Sequence, residues 1–133
     1  MALQKFADGV LTADGSEQVV MEISGSARVS GYISLANMDA GDTVIIRQYI
    51  RLLNGEYKRY ASETYTGAQE NPIVYITPKE LASAIKVTLQ QTSGTYKTFD
   101  YLFIKEVPVY VQVQAPVNVT VNLPSVASFR LGA

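Results

Sequence analysis

The sequence predicts an all-β protein, a single antiparallel β-sandwich over residues 1–106 followed by an extended C-terminal arm over residues 107–133. Three observations predict this organisation. Apolar residues recur at every second position in most segments, Gly-containing turn sequences separate these segments, and the alternation then continues unbroken from residue 107 to residue 123. A jelly roll is the first choice of topology, and an immunoglobulin-like Greek key is the alternative.

The composition limits the functions that the chain can have. Its 133 residues are 47% apolar, which suits one domain with a hydrophobic core, and its net charge of −1 lacks the basic excess usual in nucleic-acid-binding proteins. There is no cysteine and no histidine, so thiolate and imidazole metal sites and Cys- or His-dependent nucleophiles are excluded. We expect no enzyme, no cofactor, no metal and no nucleic-acid partner.

The strands of the sandwich are predicted from apolar residues that share one face. In the first three segments the predicted inward residues are Val19, Met21 and Ile23, then Val29, Gly31, Ile33 and Leu35, then Val44, Ile46, Ile50 and Leu52. Further strands are predicted at 73–76, 85–91 and 98–105. Reversals are predicted at Asp14-Gly15, Ala40-Gly41-Asp42, Asn54-Gly55 and Ser93-Gly94.

The Asn54-Gly55 pair predicts a two-residue type I′ hairpin, because both residues tolerate a positive φ. Such a turn places Leu53 opposite Glu56, Arg51 opposite Lys58 and Tyr49 opposite Tyr60. A basic and aromatic patch then shares one face of the hairpin and is a candidate partner-binding site, made of Arg47, Tyr49, Arg51, Lys58 and Tyr60. The alternative is a solvated outer face without a partner, stabilised by cross-strand pairs.

Two shorter patterns allow structural predictions. Thr77-Pro78-Lys79-Glu80 has the form of a capping box and predicts one helical turn that runs to about Ser83. The acidic stretches at 14–17 and 39–42 each bring two carboxylates close together, but calcium needs about 6–8 oxygen ligands. We interpret both stretches as turns.

The arm alternates apolar and polar residues for too long to be one strand of its own domain. Seventeen residues of strand span about 55 Å, whereas the sandwich is about 26–30 Å across. Ala115 and a valine-rich stripe lie on one face, the stripe being Val107, Val109, Val111, Val113, Val117, Val119, Val121 and Leu123. Buried on a neighbouring subunit, this stripe would strongly favour docking.

Prolines divide the arm into strand-sized segments. Pro108, Pro116 and Pro124 recur every eight residues, and each removes a ladder hydrogen bond. The favoured interpretation is an intermolecular arm that pairs segment by segment. Two alternatives are a last strand of its own sandwich with a loose end, and a stalk in which three tails wind together. Polar residues interrupt the run and no signal-peptide pattern is present, so no membrane partner is expected.

Two segments carry a family resemblance: GYISLANMDAGDTVIIRQYIRL at 31–52 and ITPKELASAIKVTLQQTSGTYKTFDYLFIKE at 76–106. They resemble small β-sandwich proteins of the virions of tailed viruses. The resemblance implies a jelly-roll-like capsid decoration, cement or minor capsid subunit whose partners are itself and a major capsid or other virion protein. It transfers no site residues.

The sequence therefore leaves three functions open. The first is a virion structural protein, assembled in the host cytoplasm where disulfides are not available as staples. The second is a subunit of an extracellular filament joined by donor strands. The third is a carbohydrate-binding module that uses exposed tyrosines to bind a glycan.

Overall fold

The computed structural model describes residues 2–25, 28–53, 55–80 and 84–107, with the backbone alone for residues 2, 78–80 and 107. The predicted arm beyond Val107 lies outside these residues. Eight strands are formed: β1 Ala2–Thr12, β2 Gln18–Ser24, β3 Arg28–Ser34, β4 Thr43–Arg51, β5 Tyr57–Thr66, β6 Ile73–Glu80, β7 Ala84–Ser93 and β8 Thr98–Val107.

The strands form two four-stranded antiparallel sheets. The first sheet has the order β1-β8-β3-β6 and the second the order β2-β7-β4-β5. The pairs β1/β8, β2/β7, β3/β6 and β4/β5 are the rungs of one long hairpin, which rolls up so that β3 also pairs with β8 and β4 with β7. This is the jelly roll. The predicted all-β sandwich and its first-choice topology are confirmed, and the immunoglobulin-like alternative is wrong.

The core lies between the two sheets and follows the predicted alternation best in β3. Val29, Ile33 and Leu35 are buried, and Gly31 lies between them against β8. The other large core residues come from strands on both sheets: Met21, Val44, Ile46, Ile76, Ile85, Val87, Leu89, Phe99 and Phe103. Each sheet buries one face on the other, as the period of two requires.

A β-bulge in β2 corrects the predicted faces. The pairing moves from Val19↔Thr88 to Met21↔Val87, so Val20 is an extra residue. Val20 and Met21 are consequently both buried, while Val19, predicted to face the core, is exposed. Leu52 was also predicted to face the core and is exposed, because it lies beyond the end of β4.

The β4–β5 hairpin has a different register from the predicted one. Arg51 pairs with Tyr57, and a hydrogen bond from the Gly55 N–H to the Leu52 carbonyl (2.9 Å) closes the turn. The loop is therefore longer than a two-residue type I′ turn. Ile50 packs on the core and pairs with Lys58, so burial on β4 determines the register more strongly than the turn sequence does.

The predicted helical turn at 77–80 is wrong, since these residues belong to β6. The pairing moves from Gly31↔Ile76 to Val29↔Lys79, which leaves Thr77 and Pro78 opposite a single residue of β3. Proline fits there because β6 is an edge strand and a bulge needs no ladder donor. Strand β1 was not among the predicted strands. It pairs with β8 from Ala2↔Val107 to Thr12↔Thr98, so Val107 is the last residue of β8.

Buried Asp42 joins the β3–β4 turn to the β7–β8 turn. Its carboxylate accepts hydrogen bonds from Lys97 Nζ (2.6 Å) and from the N–H groups of Asp39 (2.9 Å) and Thr95 (3.1 Å). Gly94, at φ +88°, lies so close that a Cβ there would stand 2.0 Å from Asp42 Oδ1. At the other acidic turn, Asp14 accepts bonds from the Ser16 backbone and hydroxyl. Both stretches have the contacts of turn residues.

The Asp42 contacts predict acid-sensitive stability. The hydrogen bond from Lys97, aided by that from the Asp39 N–H, lowers the pKa of the Asp42 carboxyl. A folded-state pKa below the unfolded value means that the carboxylate contributes its full stabilisation above about pH 4. This stabilisation is lost as the pH falls through the folded pKa.

We expect Asp42→Asn to lower the melting temperature at pH 7 by roughly 5 °C and to flatten its decline between pH 5 and pH 2. Thermal melts across this range, with the exposed Asp8→Asn as control, measure the effect. Parallel curves for wild type and Asp42→Asn would contradict it.

Candidate interaction surfaces

The structure divides the predicted basic patch between two faces of the second sheet. Arg47, Tyr49 and Arg51 point outward from β4, where Tyr49 pairs with Arg59 and Arg51 with Tyr57. Lys58 lies opposite Ile50 and so belongs to the inward-facing side. Tyr60 is the extra residue of a bulge in β5 and donates to Gln48 Oε1 at 3.0 Å. Of the five predicted residues, Arg47, Tyr49 and Arg51 therefore share the outer face, and Lys58 and Tyr60 do not join them.

On the outer face of the second sheet, which we call the polar face, Glu17 joins a network with Arg47, Tyr49 and Thr88. Its carboxylate accepts hydrogen bonds from the Tyr49 hydroxyl and from Thr88 Oγ1 (2.6 Å) and forms an ion pair with Arg47 (3.4 Å). Arg47 also donates to Gln90 Oε1 at 3.0 Å. Two strands, β4 and β7, and the loop before β2 are thus joined through one carboxylate.

The electrostatics of the polar face follow from these contacts. Partial burial acts to raise the pKa of the Glu17 carboxyl, but the hydrogen bonds from Thr88 and Tyr49 and the charge of Arg47 outweigh it, so this pKa is lowered. The same bond to Glu17 raises the pKa of the Tyr49 hydroxyl. The Glu17 charge is therefore neutralised within the chain.

Lys86, Glu22 and Arg51 of this face also have internal partners, whereas Arg59, opposite Tyr49, is exposed. Lys86 Nζ lies 5.0 Å from the ring centroid of Tyr49 and 4.6 Å from that of Tyr57, which donates to Glu22 at 2.8 Å. Arg51 lies over the same Tyr57 ring at 5.4 Å. These contacts make the polar face a stabilising network, and its role as a partner-binding site stays a prediction.

The outer face of the first sheet has the opposite character. Five large apolar residues there, 39–61% exposed, form what we call the apolar face: Val10, Tyr32, Ile73, Tyr75 and Leu102. β8 pairs Leu102 with Tyr32, and β3 pairs Tyr32 with Tyr75. Ile73 lies two residues from Tyr75 on β6, and Val10 lies on β1 opposite Asp100. The Tyr32 and Tyr75 rings pack with centroids 5.1 Å apart. A contiguous exposed apolar patch of this kind is typical of an interaction surface.

A shallow concavity of about 300 Å³ lies within the apolar face. Tyr32, Ile73 and Leu102 line it, together with Ser34, Asp100 and Tyr101. Asp100 is exposed and pairs with Val10 across the β1–β8 ladder. The concavity thus combines apolar walls with one carboxylate.

Sequence reasoning did not find the apolar face, although one signal was present. In the stretch Ile73-Val74-Tyr75-Ile76 every residue is apolar, so both faces of the first half of β6 are apolar. Val74 and Ile76 pack on the core, and Ile73 and Tyr75 are left outside. An edge strand that is apolar on both faces indicates a surface that another molecule covers.

Neither a metal site nor a membrane-spanning helix is found among the described residues. Among residues 2–25, 28–53, 55–80 and 84–107, no cluster of three or more acidic, His or Cys side chains could hold a metal ion. The same part of the chain contains no helix with the length and apolar character of a membrane span.

The fold resembles that of solved virus structures. No family model and no curated protein matches the sequence. A structure of infectious bursal disease virus, Gx strain, matches with a TM-score of 0.50 and 10% identity over 78% of this chain. A structure of the VP2 subviral particle of the same virus matches with a TM-score of 0.48 and 9% identity, also over 78% of this chain.

These matches bear on the fold. The chain corresponds to 32% of the length of either virus protein, about a third. At the level of the fold the chain is therefore similar to a protein in a structure of infectious bursal disease virus, and this match gives no support to the tailed viruses named by the sequence resemblance.

Proposed function

We propose that this protein is a structural subunit of a virus particle, a capsid decoration or minor capsid protein, which associates with its own copies and with the shell. The apolar face of the first sheet is the observation that carries this proposal. A folded jelly roll that leaves two packed tyrosines and three aliphatic side chains in solvent has a surface suited to a partner. The likeness in fold to a virus particle protein supports the same conclusion.

Residues 107–133 are proposed as the arm that links neighbouring subunits. The two sheets already bury the core residues of the sandwich between them, so the described domain has a core without the valine stripe of the arm. The stripe needs a surface elsewhere, and exchange of arms adds contact area without enlarging the domain. Assembly in the host cytoplasm remains part of this proposal.

Removal of residues 108–133 is expected to abolish self-association. Cutting after Val107 keeps the whole of β8, including its pair with Ala2. We expect the full chain to form defined oligomers in native mass spectrometry and the shortened chain to be a folded monomer. A full-length variant with Val117, Val119 and Val121 changed to serine should also be monomeric, because it lacks the apolar stripe at unchanged length.

Three results would contradict the proposed arm. If the full chain is itself monomeric, self-association is wrong. If the shortened chain assembles like the full chain, the arm is not the linking element. If the shortened chain does not fold while the serine variant folds and assembles, residues 108–133 complete their own sandwich.

A carbohydrate-binding module is the second candidate function, favoured by the concavity with its tyrosine wall and Asp100. Sugars are held by aromatic stacking together with several hydrogen bonds. The concavity supplies few polar groups, and the Ser34 hydroxyl already accepts from the Ala36 N–H at 3.3 Å. A subunit of an extracellular filament stays as the alternative in which the same arm acts as a donor strand.

A further inference from the structure

The apolar face contains a carboxylate that the described part of the chain does not neutralise. Among the described residues the ion pairs are Lys5–Asp8, Arg47–Glu17, Lys97–Asp39 and Lys97–Asp42, and none of them involves Asp100. Asp100 lies between Val10 on β1 and the Tyr32 and Ile73 side of the concavity. A molecule that covers the apolar face would bury this charge, which is costly unless the molecule brings a cation.

The arm contains one cation in a matching setting. From residue 107 to residue 133 the sole charged residue is Arg130, and its neighbours are Phe129 and Leu131. Arginine is well suited to pair with a carboxylate at an interface, because its planar guanidinium donates two parallel hydrogen bonds and is weakly hydrated. Asp8, which lies opposite Leu102 on the same face, is already paired with Lys5, so Asp100 is the acid that the base of the arm can complement.

The length of the arm favours a neighbouring copy over the same chain. Arg130 is 23 residues beyond Val107, a reach of about 75 Å when extended. The chain's own Asp100 is seven residues back along β8, about 23 Å away at the same rise. Returning to it would require a reversal and would leave most of the valine stripe uncovered. A neighbouring domain about 26–30 Å across lies within the extended reach.

We infer that the apolar face is the surface that binds the C-terminal segment of a neighbouring copy, with Arg130 of one copy paired to Asp100 of the next. This inference rests on the proposed function and names the surface that accepts the arm. The polar face is the poorer acceptor, because Glu17, Lys86 and Arg51 already have internal partners. A sugar is the poorer occupant, because it would leave Asp100 without a cation.

A charge exchange in the full-length chain tests the pairing. Asp100→Arg and Arg130→Glu are each expected to raise the dissociation constant of self-association by roughly tenfold or more, because each places like charges together. The double variant should return to within about threefold of wild type. An equimolar mixture of the two single variants should also recover, since Arg130 of one then meets Asp100 of the other. Sedimentation velocity measures the association, and circular dichroism checks folding.

The outcomes separate this inference from the proposed function. Recovery in both the double variant and the mixture supports docking between copies. Recovery in the double variant alone overturns the inference, because the segment then occupies its own chain. Unchanged association in both single variants also overturns it. If the serine variant of the arm still fails to assemble in that case, the proposed function survives without this binding surface.

If Asp100→Arg unfolds the chain, Asp100→Asn and Arg130→Gln replace the charge reversals, with a weakened association expected for each. Loss of glycan binding by Asp100→Asn, with assembly intact, would assign the concavity to a sugar.

Discussion

Gly31→Val is expected to unfold the domain or to destabilise it by roughly 3 kcal/mol or more. Gly31 lies in the middle of β3 and pairs with both Ile76 and Phe103. A Cβ at this position would stand 2.2 Å from Phe103 Cδ2 and 2.6 Å from the Leu102 carbonyl oxygen. The ring is buried and the carbonyl is part of the backbone, so neither can move away at low cost. Urea denaturation followed by circular dichroism measures the loss.

The matched control for this prediction is Ser30→Val, the same new side chain one residue earlier. Ser30 points to the outer face of the first sheet and is half-buried. Valine has a good β-propensity there, so we expect a change of less than about 1 kcal/mol. Equal unfolding midpoints for Gly31→Val and wild type would mean that β3 and β8 do not approach as the structure has them.

Phe103→Ala is expected to cost about 3–5 kcal/mol, the range for removing a fully buried aromatic side chain. Phe103 is fully buried, and its ring lies 6.5 Å from that of Tyr101. For a domain of this size the loss corresponds to a fall of roughly 15 °C or more in melting temperature. Differential scanning calorimetry of the full chain checks it.

Leu102→Ala is the control for the Phe103 prediction, because it truncates the adjacent residue on the opposite face. Leu102 is partly exposed on the apolar face, so a loss below about 1 kcal/mol is expected. The same variant should weaken self-association if the apolar face is an interface. A large loss of stability in Leu102→Ala with none in Phe103→Ala would mean that the two faces of β8 have been assigned the wrong way round.

The candidate surfaces show why sites are harder to predict than strands. Arg47, Tyr49 and Arg51 were correctly grouped, because residues two apart on one strand must share a face. Lys58 and Tyr60 were wrongly added, since their position depends on the loop length and on a bulge in β5. The partner of Arg47 and Tyr49 could not be anticipated either, because Glu17 lies 32 residues from Tyr49 in the chain.

The sequence by itself determined the class of the fold, the core face of β3 and the turns at Gly15, Gly41 and Gly94, each of which has a positive φ. These features are local: a period of two fixes which residues share a face, and glycine adopts a positive φ at little cost. The long alternation of residues 107–123 is a property of the sequence in the same sense.

The tertiary structure decided what depends on a partner strand. The bulges at Val20, Tyr60 and Thr77-Pro78 exist because neighbouring strands impose their own pairing, and each one changes which residues face outward. Only the order β1-β8-β3-β6 places Val10, Asp100, Tyr32 and Tyr75 side by side. Non-local pairing, which no local pattern encodes, thus creates both the polar face and the apolar face.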